Sequence, residues 1–197
     1  MKIAFFDFDG TITTKDTFIQ FLRFIAGPYR FYFGLFFKLP LILSYKLGLM
    51  PNWKAKESVF SFFVKGKSEK EMKEKGVAFS KNILPKIMRQ EALETIEFHK
   101  NNGSEIVVVT ASFSLWVSPW CKDHNLGVLS TKYEVKGDTL TGRIKGENCY
   151  GKEKVNRIKE DYNLEDYDEI YAYGDSQSDW DMLNLATKKW MKWKPLK

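Results

Sequence analysis

Apolar and polar positions along the chain fall into recurring units. Three short runs, Lys2-Ile3-Ala4-Phe5-Phe6, Glu105-Ile106-Val107-Val108-Val109 and Glu169-Ile170-Tyr171-Ala172-Tyr173, read as buried strands. Each passes without a break into turn-forming polar residues: Asp7-Phe8-Asp9-Gly10-Thr11, Thr110-Ala111-Ser112 and Gly174-Asp175-Ser176. Helices are predicted over Lys86–Asn101 (closed by Asn102-Gly103, with Pro85 near its first turn), Phe113–His124, Lys152–Tyr162 and Asp179–Ala186. Gly127–Ser130 reads as a short strand and Lys132–Ile144 as a hairpin turning at Gly137-Asp138. Alternating strands and helices predict an α/β fold built on an open parallel sheet, in which ligands bind at the carboxyl ends of the strands.

Between the first two runs the pattern changes. Phe18, Phe21, Leu22 and Ile25 have helical spacing, and Gly27-Pro28 and Met50-Pro51-Asn52 bracket a second helical run. From Ser58 to Ser80 the composition turns polar, and Lys and Glu alternate over residues 67–74 as on a solvated helix. With 44% hydrophobic and 28% charged residues, the 197-residue chain can bury a core, so wholesale disorder is excluded. The net charge of +6 is local: Thr17 to Lys56 has no Asp or Glu but holds Arg23, Arg30, Lys38, Lys46, Lys54 and Lys56, together with 11 of the 31 aromatics. The remainder is formally neutral, which argues against a nucleic-acid binder. Cys121 and Cys149 read as free thiols in a reducing, cytoplasmic setting. The first apolar run is broken at Asp7, which argues against a signal peptide, and Phe31–Tyr45, interrupted by Lys38, is too short to span a membrane.

Three strand ends deliver candidate reactive groups: Asp7 and Asp9, Thr110 and Ser112, Asp175 and Asp179. Converging carboxylates need a cation, and Mg²⁺ is the hard, oxygen-binding choice. A nearby lysine and hydroxyl suit an anionic substrate, so the set points to phosphoryl transfer with a carboxylate as possible nucleophile.

These residues carry a resemblance. Asp7-Phe8-Asp9-Gly10-Thr11, Thr110, a downstream lysine and Gly174-Asp175-Ser176-Gln177-Ser178-Asp179 are similar, in order and spacing, to the four motifs of the haloacid dehalogenase superfamily. The branch resembled is the phosphoserine-phosphatase-like one, whose insertion falls between the first and second motifs. The resemblance implies a Rossmann-like parallel-sheet core over residues 1–15 and 84–197, with a small, mainly helical cap over 16–83. It implies that Asp7 is the nucleophile and that Asp9 is the general acid and base. Thr110 and the Ala111 amide would bind phosphate. Asp7, the Asp9 main-chain carbonyl and Asp175 would ligate Mg²⁺, with Asp179 ordering that shell. Asp9 separates the phosphatases from dehalogenases, which lack the second acid, and from P-type ATPases, which carry Thr there. For the third-motif lysine, Lys152 and Lys154 both lie at a helix start, and the family pattern fits Lys154 better. Ser112 is read as a turn or cap residue, Asp181 as a complement to a helix dipole, and His99, His124 and Cys149 as structural.

Two readings of residues 17–56 stand side by side: a cap packing its aromatics inward, or an interfacial surface whose apolar side chains meet lipid while its basic ones meet anionic headgroups. The branch resembled includes phosphatases of small zwitterions and of phospholipid headgroups such as phosphatidylglycerophosphate. The acid-free segment lacks a recogniser for a substrate ammonium, and the usual final strand and helix are expected to be replaced by the short segment Trp190–Lys197. The leading expectation is a Mg²⁺-dependent phosphomonoester phosphatase acting on a lipid-linked or hydrophobic phosphate, with peripheral contact at the inner membrane face. The alternatives are a phosphatase for a small soluble ester, a phosphotransferase and, outside enzymes, a phosphate-sensing module.

Overall fold

The computed structural model describes residues 1–196. β1 (Lys2–Phe6) lies at the centre of a seven-stranded sheet, parallel to β2 (Glu105–Phe113) on one side and β5 (Glu169–Gly174) on the other. β3 (Gly127–Lys136) continues the parallel order beyond β2, and β6 (Lys188–Met191) continues it beyond β5. β4 (Thr139–Lys145) and β7 (Lys194–Leu196) close the two edges in antiparallel pairing. The central strands are apolar throughout because helices cover both faces, the condition under which a parallel strand loses its alternation.

On one face, α7 (Lys152–Asp161) and the short α8 (Trp180–Leu183) set Ile158, Met182 and Leu183 against Ile3, Phe5, Val107 and Ala172. On the other lie α5 (Gln90–Asn101) and α6 (Ser114–Asp123), together with four helices inserted between β1 and β2: α1 (Thr17–Ala26), α2 (Pro28–Lys46), α3 (Asn52–Val64) and α4 (Glu69–Asn82). Asp16 caps α1 by accepting from the Ile19 amide at 3.1 Å, and Pro28 opens α2 at a position where its missing N–H costs nothing. Buried Trp116 of α6 stacks on Phe21 at 4.5 Å, and Phe60 stacks on Phe113 at 4.0 Å. Helices α1, α3 and α4 therefore share one apolar core with the sheet. Helix α4, predicted as solvated, buries Met72 and Phe79. It also approaches α6 so closely at Gly76 that a Cβ there would overlap the Leu115 carbonyl.

Helix α2 is different. Only Phe31 and Gly34 are buried on it, while Tyr29, Tyr32, Phe33, Phe36 and Phe37 stand in the open. The aromatic segment thus divides between its two readings: α1 and α3 point inward, and α2 presents rings to the outside.

Several boundaries differ from expectation. The short strand and the first arm of the hairpin merge into one continuous strand, Gly127–Lys136, in which Lys132 faces solvent. Leu84–Lys86 forms a tight turn of its own, and α5 begins only at Gln90. The last helix stops at Leu183. The chain does not lose its final strand: β6 pairs parallel with β5 before a two-residue turn reverses into β7. Lys192 and Trp193 make that turn at φ 51° and 63°, conformations usually left to Asn and Gly. Trp190 and Trp193 pack over Tyr173 at 4.8 and 5.5 Å, and this burial offsets the backbone cost.

His99 is structural, as its helix-end position suggested. It is buried, with Nε2 2.9 Å from the Tyr173 hydroxyl and Nδ1 3.3 Å from Ser104 Oγ. Burial, assisted by the charge of Lys2, pushes the imidazole down to about 4 from its ordinary 6.5. The unfolded chain therefore takes up a proton below pH 6.5 that the folded chain refuses. Stability should fall from pH 6.5 towards 4 with a slope approaching ~1.4 kcal/mol per pH unit from this group. Urea midpoints at pH 7 and pH 5 for wild type and His99→Gln should show a steeper acid loss in the wild type; parallel losses would contradict it.

Candidate active site

Asp7 is the first residue past β1, and its amide donates to the Tyr173 carbonyl at 2.9 Å, so the sheet itself positions it. The chain then turns sharply through Phe8–Ile12, with Gly10 at φ 83°. A Cβ at Gly10 would overlap Asp175 Oδ2, so glycine here serves both the backbone angle and the approach of two acidic strand ends. Arg89 fastens the turn from outside, donating Nη2 to the Gly10 carbonyl at 3.1 Å and Nε to that of Thr11 at 3.2 Å. Gly10→Ala should cost about 1–2 kcal/mol through the left-handed backbone alone. Urea midpoints of the variant and the wild type check that loss.

Lys154, in the first turn of α7, is only 1% exposed. Its ammonium donates to Asp7 Oδ1 at 2.5 Å and to Asp179 Oδ1 at 2.7 Å. Lys152, the other candidate, lies on the exposed surface. The second oxygen of Asp179 accepts from the Asp175 and Ser176 amides at 3.1 and 3.0 Å, which locks the loop after β5. Carboxylate oxygens of Asp7, Asp175 and Asp179 lie within 4.8 Å of one another.

Electrostatics make this cluster incomplete by itself. Burial pushes the Asp7 carboxyl up to about 8 despite Lys154 beside it, and burial likewise raises Asp175. Burial opposes the charge on Lys154, but Asp7 and Asp179 outweigh it and hold the ammonium above its ordinary range. For Asp179, burial is overcome by Lys154 and the two amides, and its carboxyl is held low. Three carboxylates served by one buried ammonium leave a deficit of positive charge, which a divalent cation with oxygen preference would fill.

Asp9 points elsewhere. Its Oδ1 accepts from the Thr17 amide at 2.6 Å and its Oδ2 from Ser112 Oγ at 2.5 Å. Ser112 Oγ is 3.1 Å from Thr17 Oγ1, which accepts from the Trp116 indole N–H at 2.9 Å. With Ser112 donating to Asp9, the chain of donors runs from Trp116 through Thr17 and Ser112 to the carboxylate. Ser112 is therefore more than a turn residue, and Phe113, not Ser112, caps α6. Thr110 is buried, its oxygen accepting from the Ser112 amide at 3.0 Å, so its own proton is free to donate. Ser112 sits two residues beyond Thr110 at a strand end, the period-2 spacing that could have flagged it.

A second residue passed over in the sequence is Lys56. From α3 it donates to the Ala111 carbonyl at 2.5 Å, with its ammonium over the Phe18 and Phe113 rings at 5.5 and 5.2 Å. It precedes buried Val59 and Phe60 by three and four residues, and that inward face was the available signal.

Asp7, Asp9, Thr110, Ala111, Lys154, Asp175 and Lys56 all line one cleft of about 370 Å³. Its far wall is apolar, built by Phe18, Val59 and the inner side of α2, Leu35 and Ile42. Asp16 also lines it, but its carboxylate is taken up by the α1 amide. His124 lies outside the cleft, stacked on Trp120 at 4.3 Å, and Asp181 is exposed in the first turn of α8. Cys121 and Cys149 are buried free thiols, both pushed up by burial.

Residues 4–184 match the haloacid dehalogenase-like hydrolase family. Protein CicA of Caulobacter vibrioides (strain NA1000 / CB15N) is 33% identical over 186 residues, spanning 93% of this chain and 82% of its own length. A protein of unknown function from Bordetella pertussis Tohama I has a TM-score of 0.82 at 22% identity, covering 95% of this chain and 88% of that one. A phospho-aspartyl intermediate analogue of phosphoserine phosphatase has a TM-score of 0.69 at 24% identity, covering 95% and 84%. These structural likenesses establish a shared fold.

Proposed function

This chain belongs to the haloacid dehalogenase-like hydrolases, and we propose that within that family it is a Mg²⁺-dependent phosphomonoester phosphatase working through an aspartyl-phosphate intermediate. The observation that carries this reading is the division of labour between two neighbouring acids. Asp7 is paired with a buried lysine at the strand end, while Asp9 is held off by two donors in the same cleft. Asp7 attacks phosphorus, the bond to the ester oxygen breaks, and Asp9 gives its proton to the departing alkoxide. Asp9 then takes a proton from the water that attacks the acyl phosphate, releasing phosphate and restoring Asp7. Thr110 and the Ala111 amide hold phosphate oxygens, and Lys154 offsets their charge. The Asp7 and Asp175 carboxylates and the Asp9 carbonyl are the groups that would hold Mg²⁺, ordered by Asp179. When bound, the ion supplies the positive charge the buried acids lack.

The leaving group is proposed to be hydrophobic or lipid-linked. Leu35, Ile42, Phe18 and Val59 face the cleft, and the one acid of the insertion's entrance, Asp16, is committed to a helix cap, leaving nothing apparent to read a substrate ammonium. A cytoplasmic location, with peripheral contact at the membrane face, fits the two free thiols and the basic segment.

Lys56 adds a cation to the wall of the cleft. Burial pushes it down to about 8, against the pull of Asp9 and Asp16, so it carries its charge below that pH and loses it above. Removing its charged hydrogen bond in Lys56→Met should lower kcat/KM by about tenfold or more near pH 7. The variant should also lack the fall in wild-type kcat/KM above about pH 8.

The purified chain should turn over p-nitrophenyl phosphate with Mg²⁺, lose that activity to a chelator, and yield a hydroxylamine-sensitive phosphoenzyme on rapid quench. Absence of turnover across a panel of phosphoserine, sugar phosphates, nucleotides and lipid phosphates would defeat the reading.

A further inference from the structure

Helix α2 has two faces with different tasks. Leu35 and Ile42, seven residues apart, lie on the inner side and form part of the cleft that holds Asp7 and Asp9. On the opposite side Tyr29, Phe33, Phe36, Pro40, Leu43 and Leu47 recur at alternating intervals of four and three, the spacing of a single helical stripe. All six are exposed, Tyr29 by 91% and Phe36 by 70%, so none of the described elements covers this stripe. A contiguous apolar stripe of this length on a folded chain marks a contact surface.

The charge around the stripe says what it contacts. No acid occurs from Thr17 to Lys56, whereas Arg30 and Lys46 flank the stripe on its two sides and Arg23 and Lys54 lie on neighbouring helices. Lys38, the one charge in the middle of α2, is turned away from the stripe. It donates to Ser58 Oγ at 3.1 Å and lies 5.7 Å from the Phe62 ring centre, leaving the outer face free of charge. Rings and leucines in the middle, with cations at the margins and no anions, complement a surface of acyl chains edged by anionic headgroups. Among the described residues no helix is long and apolar enough to cross a membrane.

From this two-faced helix we infer that the chain docks on anionic bilayers through the outer stripe of α2, with α2 in the plane of the interface. The inner side of the same helix then opens the cleft to phosphomonoester headgroups lying in that surface. The second half of the inference rests on the phosphatase reading; the docking does not. Arg30 and Lys46 meet lipid phosphates, the rings enter the boundary below them, and the apolar wall of Leu35 and Ile42 receives the part of the lipid next to the phosphate.

The test is co-sedimentation of the full chain with vesicles of phosphatidylcholine alone or containing about 30% phosphatidylserine, at low and high salt. The expected result is roughly tenfold stronger binding to the anionic vesicles, weakened by salt. In the double variant Phe33→Ser/Phe36→Ser the bound fraction should fall at least about fivefold, since these rings supply the apolar contact. Neither residue lines the cleft, so turnover of soluble p-nitrophenyl phosphate should stay within about twofold of wild type, which also shows that the variant folds. Phosphatidate presented in vesicles should be hydrolysed by the wild type and about tenfold more slowly by the variant. No binding to either vesicle, or binding indifferent to the variant, overturns the docking. So does light scattering that finds a wild-type dimer which the variant turns into monomers, because a second copy would then cover the stripe. Intact binding without phosphatidate hydrolysis, but with p-nitrophenyl phosphate turnover, overturns the delivery of lipid to the cleft. Intact binding without turnover of any ester defeats the phosphatase reading and leaves the docking standing.

Discussion

Replacing Asp7 by Asn is expected to lower kcat by on the order of 10⁴-fold or more, because the amide has the shape of the carboxylate but cannot form an acyl phosphate. The fold should survive. Lys154 keeps Asp179 at 2.7 Å, and the variant removes a carboxyl that burial pushes up to about 8. The sign of that shift gives a second readout. In the unfolded chain Asp7 ionises near its ordinary 3.8, whereas the folded, metal-free chain holds the proton until about 8. Folding therefore binds a proton in that window, and wild-type stability without metal should decline as pH rises through it. Asp7→Asn should lack that component of the decline. Added Mg²⁺ is expected to stabilise the wild type by mass action, and the variant's gain in Tm should be smaller, because one of the proposed ligands is neutral. A variant that kept a tenth of wild-type turnover would remove Asp7 from the role of nucleophile. An unchanged Mg²⁺ shift would remove it from the metal shell.

Lys154→Ala carries the largest expected effect on stability. The ammonium is 1% exposed and serves two carboxyl groups, so its loss strands the ionised Asp179 in the interior without its counter-charge and leaves Asp7 without its donor. Breaking one side of a buried ion pair costs about 3–5 kcal/mol, corresponding to a fall in Tm of roughly 6–20 °C for a chain of this size. Adding Asp179→Asn should recover part of that loss, since the stranded charge on Asp179 disappears. A double-mutant cycle in urea should then show a coupling on the order of 1–3 kcal/mol. Additive losses would mean that the two side chains do not share the energetics their 2.7 Å contact implies.

The parts legible in the sequence are those fixed by local pattern. Strands β1, β2 and β5 are buried on both faces, so they appear as unbroken apolar runs, and polar residues at their ends announce the cleft. Strands β6 and β7 were not legible. Lys188-Lys189 and Lys194-Pro195 give no alternation, and the turn between them uses Lys192-Trp193 where Asn-Gly would have signalled a hairpin. The hold of Ser112 and Thr17 on Asp9 spans 103 and 8 residues, and Lys56 reaches Ala111 across 55. Such contacts exist only once the inserted helices have packed on the sheet, so spacing could mark Ser112 and Lys56 as inward-facing but could not name their partners. The aromatic segment was half legible: its composition indicated burial or an interface, and only the packing of Phe21 and Phe60 against the exposure of Phe33 and Phe36 could assign α1 and α3 to one and α2 to the other.

The link from Trp116 through Thr17 and Ser112 to Asp9 bears on how this enzyme type can be re-engineered. The insertion looks like a module that could be exchanged for one with another specificity, with a natural crossover at about residue 16. Yet the first residue past that joint supplies an amide to the proposed acid and base and a hydroxyl to Ser112, which donates to it, and that hydroxyl is oriented by an indole from the far side of the second crossover. A graft cut at residue 16 would import a foreign residue 17 and leave Trp116 donating to nothing. Chimaeras that keep Thr17, Ser112 and Trp116 together, and join the new segment inside α1, should retain turnover where cleaner-looking exchanges lose it.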